Sequence, residues 1–269
     1  MSTEFPASGR PSAYHSRMSG PERISRMAML RVFWRSMQLQ AAWNPKGMQN
    51  LGFAYALWPA FLELYGGDRL KAEAAVRRHL GTFNTHPYLA SAILGGVIHH
   101  EVKVVNGEES PDVGLAFKQA LMGPLAALGD GFFWLSFRPA VGALAALLAI
   151  WTGAWAALFF AVTYNVVHLG LRARYLALGY RLGDGVLEPV GRDHLARRGQ
   201  ELRALAACAA GAFLPSLAHD ALRLGVVPAA DWGAGGAGLI AMLLLGRRVS
   251  VYALLYGAAA LGFVWGWYV

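Results

Sequence analysis

PAVGALAALLAIWTGAWAALFFAVTYNVV, Pro139–Val167, carries no formal charge and is rich in Ala and Leu. It is longer than the roughly 20 apolar residues that cross a bilayer, so it either crosses once with tilt or folds into two short crossings. Gly153 lies near its middle between Trp151 and Trp155, and tryptophans favour the membrane interface. The stretch therefore reads as a tight helical hairpin that turns at Gly153. Composition agrees: the 269 residues are 56% hydrophobic and only 15% charged, against about 25% charged in ordinary soluble domains. Val249–Val269 is a second uncharged stretch of spanning length, ending in Trp265, Trp267 and Tyr268 as an aromatic belt. Between the two, Leu202–Leu222 is interrupted by Pro215, His219 and Asp220, and Gly233–Gly246 is short. These read as paired half-crossings whose small residues serve close helix packing rather than a site.

The formal charge of +8 is distributed beside the apolar segments. Arg17, Arg23, Arg26, Arg31 and Arg35 precede the apolar body; Arg172, Arg174 and Arg181 follow the hairpin; Arg192, Arg197, Arg198 and Arg203 come next; Arg247 and Arg248 precede the last span. The positive-inside rule places all four groups, and the N-terminus, in the cytoplasm, with an even number of crossings between successive groups. Basic residues interleaved with stacking aromatics in a soluble module are absent, so nucleic acid is not an expected partner. Cys208 is the only cysteine, which excludes an internal disulfide or a cysteine-based zinc site. The first 27 residues lack the apolar core of a signal peptide. Residues 1–25 are expected to form a disordered cytoplasmic tail, and 26–269 the membrane domain.

The N-terminal half is apolar in shorter pieces. From Ile24 to Leu39, Met27, Leu30 or Val32, Trp34 and Met37 recur at helical spacing against arginines, which predicts a basic amphipathic helix lying on an anionic membrane or packed on the rest of the protein. Leu51–Leu64 is apolar but short and carries Pro59, and is read as a kinked or re-entrant buried helix. A charged, exposed helix is expected over Asp68–His79, then a short apolar piece over His86–Ile98. His99, His100 and Glu101 close it as a solvated helix end, because adjacent side chains cannot converge on one ion from a regular helix. Glu101–Asp112 is expected to be a polar loop with a turn at Asn106-Gly107.

LMGPLAALGDGFFWLSFR, Leu121–Arg138, holds one carboxylate, Asp130, among apolar residues, while Gly123, Pro124, Gly129 and Gly131 disfavour an unbroken helix. An ionised group at membrane depth faces a cavity, a partner or a substrate path; the alternative is a helix cap at the membrane surface near Arg138. Two further patches place amide and imidazole groups among aromatics and glycines: Gln40–Pro59 (QAAWNPKGMQNLGFAYALWP) and Phe83–Tyr88 (FNTHPY). That mixture suits recognition of sugar hydroxyls and of the apolar face of a sugar ring. Asn84–Pro87 equally suits turn and cap chemistry.

In the order W-N-x-x-x-M-Q-N-L-G-F-A-Y at Trp43–Tyr55, F-N-T-H-P-Y at Phe83–Tyr88 and M-G-P-L-A-x-x-G-D at Met122–Asp130, the chain resembles the IID membrane component of the mannose/fructose/sorbose family of the phosphoenolpyruvate-dependent sugar phosphotransferase system. The likeness runs from about Arg31 to the end. It departs at Ala127, where a glycine is expected, and at Gly131, where serine is common. It implies an all-α, polytopic protein of the bacterial inner membrane, with short, interrupted and re-entrant helices and a C-terminal transmembrane helix. It also implies that the chain acts with a IIC subunit to bind and translocate a hexose, that IIA and IIB domains carry the phosphate, and that IIC–IID pairs form higher oligomers. The residues expected to contact sugar are Asn84, Thr85, His86 and Asp130, with Asn44 and Gln49 behind them. No catalytic nucleophile, metal or cofactor is expected: there is no Walker loop, dinucleotide signature or nucleophile elbow. The alternative readings are an autonomous secondary transporter, and a scaffold or sensor without transport.

Overall fold

A computed structural model describes residues 23–207 together with 209. The tail before residue 23, and Cys208, Gly233–Gly246 and Val249–Val269, lie outside the described residues, as does most of Leu202–Leu222. The chain divides after Ala207 into two compact units.

The described residues of the first unit form helices joined by turns and loops, with isolated backbone bridges at Asn44, Met48 and Phe83. Helix α1 (Arg26–Ser36) starts at Ser25, whose hydroxyl accepts from the amide of Ala28 and donates to Glu63. Its face of Ala28, Val32 and Ser36 is buried, while Met27, Leu30 and Trp34 stay exposed. Of the two readings for this helix, packing on the protein therefore accounts for one face and leaves an apolar stripe on another. Helix α2 (Asn50–Leu64) is apolar almost all round, contains Pro59 without breaking, and is largely buried. Gly66 and Gly67, both at positive φ, turn the chain into α3 (Arg69–Arg77), which Asp68 caps through a 3.2 Å bond from the amide of Lys71.

Helix α4 (Ala90–Val105) is the centre of the unit and is buried over most of its length. It meets α7 (Trp155–Leu182) through glycines on both sides. A Cβ at Gly95 would drive into the carbonyl of Leu176, and one at Gly179 into the carbonyl of Ala92. The two backbones thus lie in direct contact, as small residues allow between membrane helices. The charged end of α4 departs from the solvated cluster expected there. His100 and Glu101 are only 1% and 3% exposed: the helix continues past them to Val105, and side chains from other segments cover them. His100 bonds Glu109 at 2.8 Å, and Glu101 takes bonds from Arg78 at 2.5 Å and Tyr65 at 2.6 Å. Among the described residues no histidine and carboxylate group gathers as a metal site.

After a turn with Gly107 at positive φ, α5 (Pro111–Gly129) begins on Ser110 with proline in its first turn. The interruption expected at Leu121–Arg138 takes the form of a change of winding rather than a break. A π-helical segment, Asp130–Phe137, joins α5 directly to α6 (Arg138–Thr152), making one rod of 42 residues. Apolar surroundings penalise every unpaired backbone group, so the chain widens its turn and keeps its ladder.

The hairpin forms where the sequence places it. Helix α6 ends at Thr152, Gly153 adopts φ 57°, and α7 begins at Trp155. Trp151 and Trp155 are 73% and 72% exposed at this tip. The two long helices are apolar enough to cross a membrane. A short 3-10 turn at Gly183–Val186, helix α8 (Leu187–Arg192) and a helical run over 195–207 complete the unit.

Candidate functional site

The three sequence patches converge on one end of α4. Asn44 and Met48 close a tight turn by exchanging backbone bonds, and the amide of Gln49 donates to the carbonyl of Phe83 at 2.8 Å. Gln49 is 2% exposed. Its side-chain amide pairs with the backbone of Thr85 in both directions, donating at 2.8 Å and accepting at 3.1 Å. Asn44 accepts from the amide of Gly47 and donates to Asn50, and Asn50 in turn donates to the carbonyl of Leu80. Asn44 and Gln49 thus stitch the 44–50 turn to the 80–85 loop.

Thr85 and His86 are buried beneath that seam at 4% and 1% exposure, whereas Asn84 points outward. The hydroxyl of Thr85 and Nε2 of His86 have no hydrogen-bond partner among the described residues. The imidazole stacks on Phe133 at 5.0 Å and an interplanar angle of 11°, with Tyr88 edge-on at 4.9 Å. Gly129 is required opposite it, since a Cβ there would collide with the ring of His86. Burial, assisted by the nearby Arg172 charge, pulls the His86 pKa down to about 3, so the ring is neutral at physiological pH.

Asp130 follows Gly129 directly but lies on the outer side of the rod and is exposed, with no ion pair or hydrogen bond among the described residues. Gly123, Pro124 and Ala127 are exposed or half-buried on the same stretch. Counted at the helical rise, Asp130 is about 30 Å from Trp151, the full thickness of a hydrocarbon core. The structure therefore brings Gln49, Thr85 and His86 together in the interior, sets Asn44 beside them, and puts Asn84 and Asp130 on the surface.

Two buried cations in this region escape sequence reasoning. Arg172, which charge patterning places among the cytoplasmic arginines, is 3% exposed. It donates to the carbonyl and hydroxyl of Ser36 at 2.6 and 3.0 Å, and its guanidinium sits 5.3 Å over the ring of Tyr88. Tyr88 also stacks on His168 at 4.4 Å and bonds the hydroxyl of Tyr164 at 3.1 Å. Lys118 is 2% exposed, donates to the carbonyl of His79 at 3.1 Å and lies over the rings of Phe53 and Phe83. A lone lysine in the apolar run of α5 was the available signal for the second; nothing local marked the first. On the π segment, the hydroxyl of Ser136 donates to the carbonyl of Gly131 and accepts from Arg203.

Residues 23–226 match the family described as PTS system mannose/fructose/sorbose family IID component. The chain is 35% identical over 189 residues to the mannose-specific EIID component of Escherichia coli K12, covering 70% of this chain and 67% of that one. It is 34% identical over 177 residues to a sorbose-specific EIID component of Klebsiella pneumoniae, covering 65% and 64%. Among solved structures it is similar to a chain in the cryo-EM structure of the mannose transporter ManYZ with microcin E492. That likeness has 29% identity and a TM-score of 0.57, over 90% of this chain and 96% of that one.

Proposed function

Because this chain belongs to the mannose/fructose/sorbose IID family of the phosphotransferase system, we propose that it pairs with a IIC subunit to move a hexose inward, while IIA and IIB domains deliver the phosphate at the cytoplasmic face. The N-terminus is then cytoplasmic, as the arginine clusters require, and IIC–IID pairs associate further. The likeness to a chain of the ManYZ transporter supports the pairing.

The observation that carries the reading is Asp130. It is a carboxylate on the outer face of a long apolar helix, unpaired among the described residues, beside the small side chains of Gly123 and Ala127. Small residues let a partner helix approach closely, and a carboxylate at such a contact needs donors from across the interface. Sugar hydroxyls or IIC groups supply them. Asn84, also exposed, offers its amide for the same purpose. Thr85 and His86 present buried, unpaired atoms directly behind, and Asn44 and Gln49 hold them in place.

The test is phosphoenolpyruvate-dependent accumulation of labelled mannose in vesicles holding this chain with a IIC subunit, IIA and IIB, each omitted in turn. Uptake that needs every component is expected. Uptake by this chain alone would replace the reading with an autonomous transporter. Asp130→Asn should lower uptake roughly tenfold while the IIC complex still co-purifies.

A further inference from the structure

Toward the C-terminal end of α4, away from the sugar-related patches at its N-terminal end, α1, α4 and α7 line an open cavity of about 690 Å³ whose charge is of one sign. Arg23, Arg26, Lys103 and Arg181 line it, and no carboxylate does. Lys103 is paired with Glu109 at 2.7 Å outside the lining, but Arg23, Arg26 and Arg181 have no acidic partner among the described residues. Three guanidiniums without an acidic partner around one cavity offer an anion charge-assisted hydrogen bonds from several sides.

The walls are built to hold that arrangement. The amide of Ile24 donates to the hydroxyl of Tyr180 at 2.9 Å, which fixes the start of α1 over α7 and leaves the tyrosine O–H free to donate into the cavity. His99 donates Nδ1–H to the carbonyl of Tyr180 at 3.0 Å and holds the wall of α4 against α7. Met29 and Val102 add apolar surface beside the cations.

Position selects the ligand. Arg181 lies 26 residues along α7 from Trp155 at the hairpin tip, about 39 Å at the helical rise. A bilayer with its headgroups is about 40–45 Å thick, so the cavity opens at headgroup level on the side away from the tip. We propose that this cavity is a binding site for a phosphate ester, supplied by the headgroup of an anionic phospholipid whose acyl chains run beside α7. Basic pockets between membrane helices recognise such headgroups by paired charge and hydrogen bonds. The proposal needs only the membrane placement of α7 and is independent of the sugar path.

The experiment is native mass spectrometry of the full chain, delipidated and then titrated with phosphatidylglycerol or phosphatidylcholine, with glycerol 3-phosphate as a soluble competitor. Phosphatidylglycerol is expected to be retained about tenfold more than phosphatidylcholine. Arg26→Gln with Arg181→Gln should abolish that preference, since both side chains are exposed and unpaired and the melting temperature should not move. Arg192→Gln with Arg197→Gln removes the same charge away from the cavity and should leave the preference intact. Displacement by millimolar glycerol 3-phosphate would keep the phosphate site but make a soluble ester its ligand. Equal retention of the two lipids, or equal loss in both double variants, would overturn the site.

Discussion

Between Asn44 and His86, polar groups are matched to one another by identity: Gln49 to the backbone of Thr85, Asn44 to Gly47 and Asn50, Asn50 to the carbonyl of Leu80. The α6–α7 hairpin is made on other terms. Near its turn, polar side chains bond within their own helix, as Thr152 does to Leu148 and Asn165 to Ala161, and Leu158, Val162 and Val166 face outward. The loop region is specified by single residues with single partners, whereas the hairpin is specified by length, apolar composition and one glycine at the turn. Substitutions should therefore hurt the first region severely and the outward-facing side chains near the hairpin turn hardly at all.

The largest effect is expected at the joint between them. Gly95→Leu has no room against the carbonyl of Leu176 and should cost about 3 kcal/mol or prevent folding, read as loss of monodisperse protein and a lowered melting temperature. Next is Gln49→Ala, which leaves the buried amide and carbonyl of Thr85 unpaired and should cost about 2–3 kcal/mol. A melting temperature unchanged by that substitution would mean that Gln49 is not a structural seam.

Third comes pH. Burial, more than the neighbouring charges of Lys118, Arg78 or Arg172, holds His79 and His86 down to about 3 from 6.5. Below about pH 6.5 the unfolded chain therefore binds protons that the folded chain refuses, so their contribution is present above that pH and is lost as pH falls toward 3. The slope reaches about 1.4 kcal/mol per pH unit for each histidine, or about 2 kcal/mol each by pH 5. His86→Gln should flatten the fall in melting temperature between pH 7 and 5, and an unchanged fall would place the proton uptake elsewhere. Smallest is the hairpin surface: Leu158→Ala or Val162→Ala should shift stability by no more than about 0.5 kcal/mol. A larger loss would mean that these side chains pack on protein rather than lipid.

The same division explains what could be read in the sequence. The hairpin was legible down to its turn, because an uncharged run with Trp-Thr-Gly-Ala-Trp at its middle states both depth and reversal. The short helices α2 and α3 were legible as an apolar run and a charged run. The burial of His100 and Glu101 was not, since it depends on Arg78, Tyr65 and Glu109 arriving from other segments. The same holds for Arg172, whose partner Ser36 is 136 residues away. In the candidate site, composition picked out the patches that meet, but not that Asn44 and Gln49 spend their amides on the chain itself. Gly129 was read as a helix breaker; its role is to make space for His86, a relation between two segments that local propensity does not express.

The glycine crossing of α4 and α7 also has a mechanical meaning. Side chains between two helices act as a cushion that rotamer changes can compress, and at Gly95 and Gly179 there is none: backbone rests on backbone. The hairpin thus meets α4 backbone to backbone, and α4 runs from that contact to its N-terminal end. His86 and Tyr88 stand there, gripped between Phe133 of the π segment and Arg172 of α7. A displacement of α7 in the bilayer would thus press on α4 at this crossing with no side chain in between.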